Sequence, residues 1–351
     1  MPIYISYLHL LSRIISSNIT TRLNIYKLNL IVTYRCNFKC KICSIWKERV
    51  QDELSLGEYE KLFSKIDVNW IDISGGEIFL REDIKDIFSL IIKTQRKLAL
   101  LHFPTNGFLS DRIEDSVRYI LSSSKAKLLV TVSLDGPEKV HNYIKGVNSW
   151  SRSIETYQNL KKIKDSRFNV FFGFTINTFN SDKIQETIKE LRKEIADIDY
   201  SDLHINVAHA SEHYYGNSPL DINTENIKNA VFGYINTRKY RLYNPVDYLE
   251  FRYHKYIGEY LRDYKTPLKC RSLINSVFID PTGNVFPCSI FNKTIGTLKN
   301  NNYGLYKMLK SKEAESLRQE IREGRCPQCW TPCEAYQMIL ASLLKRRVCQ
   351  A

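Results

Sequence analysis

The chain has 351 residues, 43% hydrophobic and 25% charged, a balance that fits an ordinary folded protein and excludes a fibrous or wholly disordered one. Its formal net charge of +13 suits either a solubilising surface or an anionic partner, and does not choose among lipid headgroup, nucleic acid and acidic peptide. No run reaches the ~20 uninterrupted apolar residues of a membrane-spanning helix, and residues 1–18 lack the basic start and small-residue cleavage site of a signal peptide.

The first element is a predicted amphipathic helix. Ile3, Tyr7, Leu10, Leu11, Ile14 and Ile15 share one face at helical spacing, opposite a serine-rich face. "LNLIVT" at 28–33 reads as a buried strand, and "TYRCNFKCKICSIW" at 33–46 follows it directly, with Cys36, Cys40 and Cys43 in a Cys-x3-Cys-x2-Cys spacing. Ser55 and Glu58 form a capping box that opens a helix. "WIDIS" at 70–74 is the second strand, followed by Gly75, Gly76 and Glu77 and a helix over 83–95. Further strands are expected at 98–106, 127–135, 168–177 and 202–210, with helices from 110, over 151–164 and after 180. Six strand–helix alternations predict a parallel sheet with helices outside, an α/β fold of the partial (β/α)6 TIM-like barrel type. In such folds chemistry gathers at the carboxyl ends of the strands. The cysteine loop, Gly75, Gly76, Glu77, Thr105, Asn106, Ser133, Asp135 and Asn177 all fall at those ends.

Residues 211–266 are rich in tyrosine and asparagine, read mainly as helix packing, with Glu212, Tyr214 and Tyr215 as candidates to line a cavity. His204, His209 and His213 are close in sequence, but strand alternation does not put them on one face as a metal trio. Beyond them, Cys270, Gly283 and Cys288 bracket a predicted β-hairpin with Asp280-Pro281-Thr282-Gly283 as its turn. "CPQCWTPCEAY" then supplies Cys326, Cys329 and Cys333, ahead of a last helix and of Cys349 near the chain end. A chain with clustered cysteines and no export signal favours metal over disulfides. The expected organisation is an amino-terminal helix (1–27), a barrel (28–215), a helical substrate region (216–266) and a small carboxyl-terminal iron–sulfur domain (267–351).

Three thiolates without a nearby fourth do not close a tetrahedral zinc site. They suit a cubane that leaves one iron open to a small chelating ligand. With the features downstream, the loop resembles the signature of the radical S-adenosylmethionine (SAM) superfamily. The resemblance implies that Cys36, Cys40 and Cys43 hold a 4Fe–4S cluster whose open iron binds SAM. One-electron reduction would then yield a 5′-deoxyadenosyl radical that takes hydrogen from a substrate. It implies SAM contacts at Gly75, Gly76, Glu77, Ser133, Asp135 and Asn177, with Glu77 facing the ammonium of the methionine part. Lys39 and Lys41 would offset the negative charge of the cluster. The Cys-x12-Gly-x4-Cys hairpin resembles the SPASM and shorter twitch auxiliary-cluster domains, implying a second 4Fe–4S cluster on Cys270, Cys288, Cys326 and Cys329, with Cys333 as the competing ligand. The three-residue spacing after Cys329 departs from that family's usual five, and zinc is the alternative at this second site.

The implied partner is a small electron donor such as ferredoxin or flavodoxin, and the implied location is cytoplasmic. The apolar first helix and the positive charge tilt the substrate expectation to a membrane lipid, as in enzymes that form calditol-type headgroups, with the protein peripheral to a membrane. The alternatives are a ribosomal-peptide maturase and an iron–sulfur electron-transfer protein. Nucleic acid ranks last, because the only tight basic cluster is Lys345-Arg346-Arg347. No catalytic base is assigned.

Overall fold

A computed structural model describes residues 3–48, 51–218, 220 and 224–344. Cys349 and the basic cluster at 345–347 lie outside the described residues. The strands are β1 (Lys27–Thr33), β2 (Trp70–Gly75), β3 (Leu100–Thr105), β4 (Lys127–Ser133), β5 (Phe168–Ile176), β6 (Leu203–Val207), β7 (Ser276–Ile279) and β8 (Val285–Phe286). The helices are α1 (Ile3–Ile19), α2 (Leu56–Phe63), α3 (Ile84–Thr94), α4 (Ser110–Ser123), α5 (Glu138–Lys145), α6 (Trp150–Lys161), α7 (Ile184–Glu194), α8 (Thr224–Thr237), α9 (Pro245–Asp263), α10 (Leu305–Leu309), α11 (Lys312–Arg322) and α12 (Pro332–Leu340). Short 3-10 turns follow the cysteine loop and the Gly75–Glu77 turn.

The six expected strands form one parallel run in the order β6-β5-β4-β3-β2-β1. Period-2 alternation sets two faces. Leu30, Ile73, Phe103, Val130 and Phe172 face the helices and are buried in the core. The opposite set, including Asp72, His102, Thr131, Phe171 and His204, is half-exposed and lines the barrel lumen. The Ser55–Glu58 capping box is present at α2.

The predicted hairpin is present as β7 and β8, and Gly283 takes the left-handed conformation (φ 88°) its turn requires. It is joined to the barrel through its first strand. β7 pairs in parallel with β1, so a single eight-stranded sheet runs from barrel to carboxyl-terminal domain. The physical reason is the free edge of β1, whose backbone donors and acceptors need partners.

The floor of the lumen is held by buried charge. Lys27, fully buried, pairs with Asp72 at 2.8 Å, sits 4.2 Å from the Trp70 ring and donates to the Cys333 carbonyl at the start of α12. Burial opposes ionisation of Asp72, but the Lys27 charge and the His102 bond outweigh it and hold its carboxyl below the usual range. Glu334 of α12 accepts from Asn29, Ser272 and Ser276. Lys27→Met leaves the Asp72 carboxylate buried without its cation. It should lower unfolding free energy by roughly 3–5 kcal/mol in urea denaturation, whereas the pair replacement Lys27→Met with Asp72→Leu should recover most of that loss.

Candidate cluster sites and the barrel lumen

The cysteine loop leaves β1 and is clasped from two sides. The backbone amides of Lys39 and Lys41 donate to the carbonyls of Lys145 and Ile144 at the end of α5. On the other side, the Gly76 and Glu77 amides donate to the Thr33 and Arg35 carbonyls. A Cβ at Gly75 would stand 2.3 Å from the Thr33 oxygen, and one at Gly76 would stand 2.3 Å from the Arg35 oxygen. The two glycines are therefore required by the close approach of the protein's own loop.

Cys36, Cys40 and Cys43 are free thiols on this loop, half-exposed and within electrostatic reach of one another. Burial pushes Cys36 up to about 11 and Cys43 up to about 12. The cation that opposes this rise is Lys145, not Lys39 or Lys41. It lowers all three thiols and is buried in an ion pair with Asp135 at 2.7 Å. Lys39 and Lys41 instead lie over the Trp46 and Tyr143 rings. Among the described residues, no three His, Cys, Asp or Glu side chains converge on a single metal ion. Three thiols around a buried ammonium nevertheless form a donor set that fits a polynuclear, net-negative cluster with one position left open.

Glu77 is 1% exposed, and burial raises its carboxyl to about 7. It accepts from Thr105 Oγ1 at 2.9 Å, the Asn106 amide at 2.7 Å and the Phe79 amide at 3.2 Å. It thus locks the end of β2 to the end of β3, next to Cys36. The Thr105–Asn106 turn carries Gly107 at φ 78°, and Asn106 reaches the loop by donating to Asn37 Oδ1 at 2.7 Å. Asp135 is committed to Lys145 and to the Thr175 amide at 2.8 Å. Asn177 caps its own turn through the Phe179 amide and the Thr175 carbonyl. Among the expected SAM contacts, Ser133 faces the lumen half-buried, whereas Asp135 and Asn177 already serve the framework. His141, also unsuspected from sequence, accepts from the Asp135 amide and shares a hydrogen bond with Ser149.

The second cysteine group gathers on Cys288. Its thiol meets that of Cys329 and feels it as the largest influence, with burial, on a pKa pushed well up. Cys270, Cys326 and Cys333 each lie within electrostatic reach of Cys288. All five are free thiols, so this donor set also fits an iron–sulfur group. Cys333 stands on the barrel side of the group. Burial lifts it to about 12, and its neighbouring charges are Lys27, Asp72 and Glu334 before Cys288.

Between the two groups stand Tyr214 and Tyr215, ring centroids 4.5 Å apart. The Tyr214 hydroxyl shares a hydrogen bond with Ser74 Oγ at 2.8 Å, and Cys333, Cys43 and Cys36 all act on it. The Tyr215 carbonyl accepts from the Ser44 amide of the cysteine loop. Glu212, the third cavity candidate, is exposed and bonded to Asn292. His204, His209 and His213 do not converge. His204 stacks on Phe171, His209 Nε2 accepts from the Trp330 amide, and His213 stacks on Phe286 and bonds the Cys288 carbonyl.

One lumen group had no signal in the sequence. His102 Nδ1 lies 3.3 Å from Asp72 Oδ1, and its Nε2 lies 3.1 Å from Thr131 Oγ1. With Asp72 as the acceptor at Nδ1, Nε2 is the ring nitrogen that takes the Thr131 hydroxyl. Thr131 packs closely on Gly173 of β5, where a Cβ would stand 2.5 Å from Thr131 Cγ2. Asp72 and His102 are paired through the register of β2 and β3, which no single strand reveals.

Comparison with known proteins agrees with this geometry. Residues 30–191 match the family model described as the radical SAM superfamily, and residues 270–334 match the SPASM model, an iron–sulfur cluster-binding domain. The chain is 24% identical over 309 residues to the Bacillus subtilis antilisterial bacteriocin subtilosin biosynthesis protein AlbA, covering 84% of this chain and 64% of that one. It is 28% identical over 194 residues to an Aquifex aeolicus GTP 3′,8-cyclase, covering 50% of this chain and 57% of that one. The chain thus spans less than two thirds of either curated relative. The crystal structure of Streptococcus suis SuiB bound to its precursor peptide SuiA superposes with a TM-score of 0.58 at 17% identity, covering 88% of this chain and 69% of that one. A radical SAM domain binds a 4Fe–4S cluster and SAM, and a SPASM domain binds auxiliary iron–sulfur clusters. The chain belongs to the radical SAM superfamily and carries a carboxyl-terminal SPASM domain.

Proposed function

We propose that this enzyme modifies a peptide through radical chemistry, as a maturase. The observation that carries this reading is the similarity to AlbA, which extends over 84% of this chain and so through both cluster domains. The cyclase match covers half the chain and speaks to the barrel alone. The lipid-headgroup expectation draws no support from these relatives, and the peptide alternative takes its place.

Cys36, Cys40 and Cys43 would hold the first cluster, and Cys270, Cys288, Cys326 and Cys329 the second, with Cys333 as the ligand in question. When bound with SAM and reduced by a one-electron carrier such as a ferredoxin or flavodoxin, the first cluster supplies a hydrogen-abstracting radical. The protein's own residues do the rest. Lys145 offsets thiolate charge, and Glu77 and Asn106 fix the loop that frames the SAM pocket. The Tyr214–Ser74 pair forms the wall between the two cysteine groups. In the lumen below, the Asp72–His102–Thr131 chain would give the barrel wall a polar stretch.

Replacing Cys36, Cys40 and Cys43 together by alanine should reduce 5′-deoxyadenosine formation to background; continued SAM cleavage in that variant would refute the radical reading. Wild-type reconstituted protein should carry about eight irons, four per cluster, and the triple variant about four; four irons with stoichiometric zinc in the wild type would refute the auxiliary iron–sulfur group. Cys333→Ala should leave iron content intact if Cys329 completes the second set, and lower it if Cys333 is the ligand. Glu77→Ala strips the acceptor from a buried amide and hydroxyl, and should cost roughly 1–3 kcal/mol of stability. It should also weaken SAM binding in equilibrium dialysis. A stability loss with unchanged SAM affinity would make Glu77 a framework residue only.

A further inference from the structure

α1 is inside out. Its polar face turns inward and is bonded throughout. Arg13 donates to Asn24 Oδ1 at 2.8 Å, Asn69 Oδ1 at 3.0 Å and the Asp67 carbonyl at 2.9 Å. Ser17 receives Asn275 Nδ2 on its hydroxyl and Arg271 on its carbonyl, both at 2.9 Å. Asn18 donates to the Leu340 carbonyl at 2.8 Å. These bonds lay the helix across the amino-terminal ends of β1 and β2. Ile14 is buried with this face, while most of the other apolar residues point the other way. Leu8 is 60% exposed, Leu11 50% and Ile19 74%, and Tyr4, Tyr7 and Ile15 complete the stripe. Apolar side chains at positions 4, 8, 11, 15 and 19 recur at helical spacing along about 26 Å of helix. A continuous exposed apolar face of this kind marks a docking surface.

The charge around it selects the occupant. α1 contains no acidic residue. Leu344, 65% exposed, donates its amide to Asn18 Oδ1 at 3.0 Å at the end of α1. The sequence continues from there into Lys345, Arg346 and Arg347, and Arg22 follows the helix at its own end. A second copy would bring two acid-free stripes together on chains of charge +13 each. An apolar, acid-free helix face followed by Arg22, on a chain of net charge +13, matches an anionic bilayer surface, where leucines and tyrosines enter the headgroup boundary and cations meet phosphate. We propose that the outer face of α1 docks this protein on an anionic membrane surface, leaving the barrel mouth, at the opposite ends of the strands, directed away from the lipid.

The test uses the cluster-loaded full-length protein and sedimentation with vesicles of phosphatidylcholine containing phosphatidylglycerol, against vesicles of phosphatidylcholine alone. Binding is expected on the anionic vesicles, with loss at high salt. Leu8→Glu with Leu11→Glu should lower the partition coefficient by roughly tenfold or more. Both positions face solvent away from the cysteine sites, so melting temperature and SAM cleavage should stay at wild-type values. Absence of binding to anionic vesicles, or equal binding by the double variant, would overturn the proposal. So would a wild-type dimer in light scattering that the double variant dissociates, since the stripe would then belong to a second copy.

Discussion

A six-stranded parallel sheet that does not close leaves β1 with an unpaired row of backbone groups, and the rest of this molecule follows from how that edge is satisfied. β7 supplies the missing hydrogen bonds, with Lys27 to Leu30 running beside Ser276 to Ile279. The carboxyl-terminal domain is therefore a continuation of the barrel sheet. Its cysteine group is fixed relative to the first by strand register, with no flexible linker between β1 and β7. Cys288 follows β8 by two residues, Cys36 follows β1 by three, and β7 alone separates those two strands in the sheet, so the two cysteine groups keep a constant separation.

Buried charge reinforces that placement. Lys27 binds Asp72 on the adjacent strand and the Cys333 backbone, so one ammonium joins β1, β2 and α12. Lys145 plays the corresponding part beside the first loop, where Asp135 holds it and three thiols use its charge. In both cases the cation is paired and hydrogen-bonded, the condition under which a buried charge is tolerated. Lysines on the loop itself would be solvated and screened. The buried one is the effective counter-charge because its field is not diluted by water.

Strand positions were legible because each strand is a short β-rich run ending in turn chemistry, and the cysteine spacings were legible because they are local. The partners of those elements were not. Lys145 sits at the end of α5, an eight-residue helix with a weak start signal after Pro137, and nothing in the sequence ties it to a loop a hundred residues earlier. Glu77 was singled out from its place after β2, but its bonds to Thr105 and Asn106 depend on β2 lying beside β3. For α1 the periodicity was legible, but which face meets the core was not. The moment of a helix locates its apolar face but does not say whether that face meets the core, and here Arg13, Ser17 and Asn18 found better partners inside than leucine would have.

The lumen shows why the remaining chemistry escaped the sequence. Asp72, His102 and Thr131 stand on three successive strands, separated by about thirty residues each, and become a chain only through register. Each alone is an ordinary strand residue. Together they give an imidazole whose Nδ1 faces a carboxylate held ionised by Lys27, and whose Nε2 meets the Thr131 hydroxyl. That polarity matters for a radical enzyme. Hydrogen-atom abstraction needs only a well-placed C–H bond, but forming a new bond from the resulting radical with loss of an electron also releases a proton. The Asp72–His102–Thr131 chain puts polar groups into a barrel interior whose helix-facing side is apolar, and it exists only because three strands lie in this register.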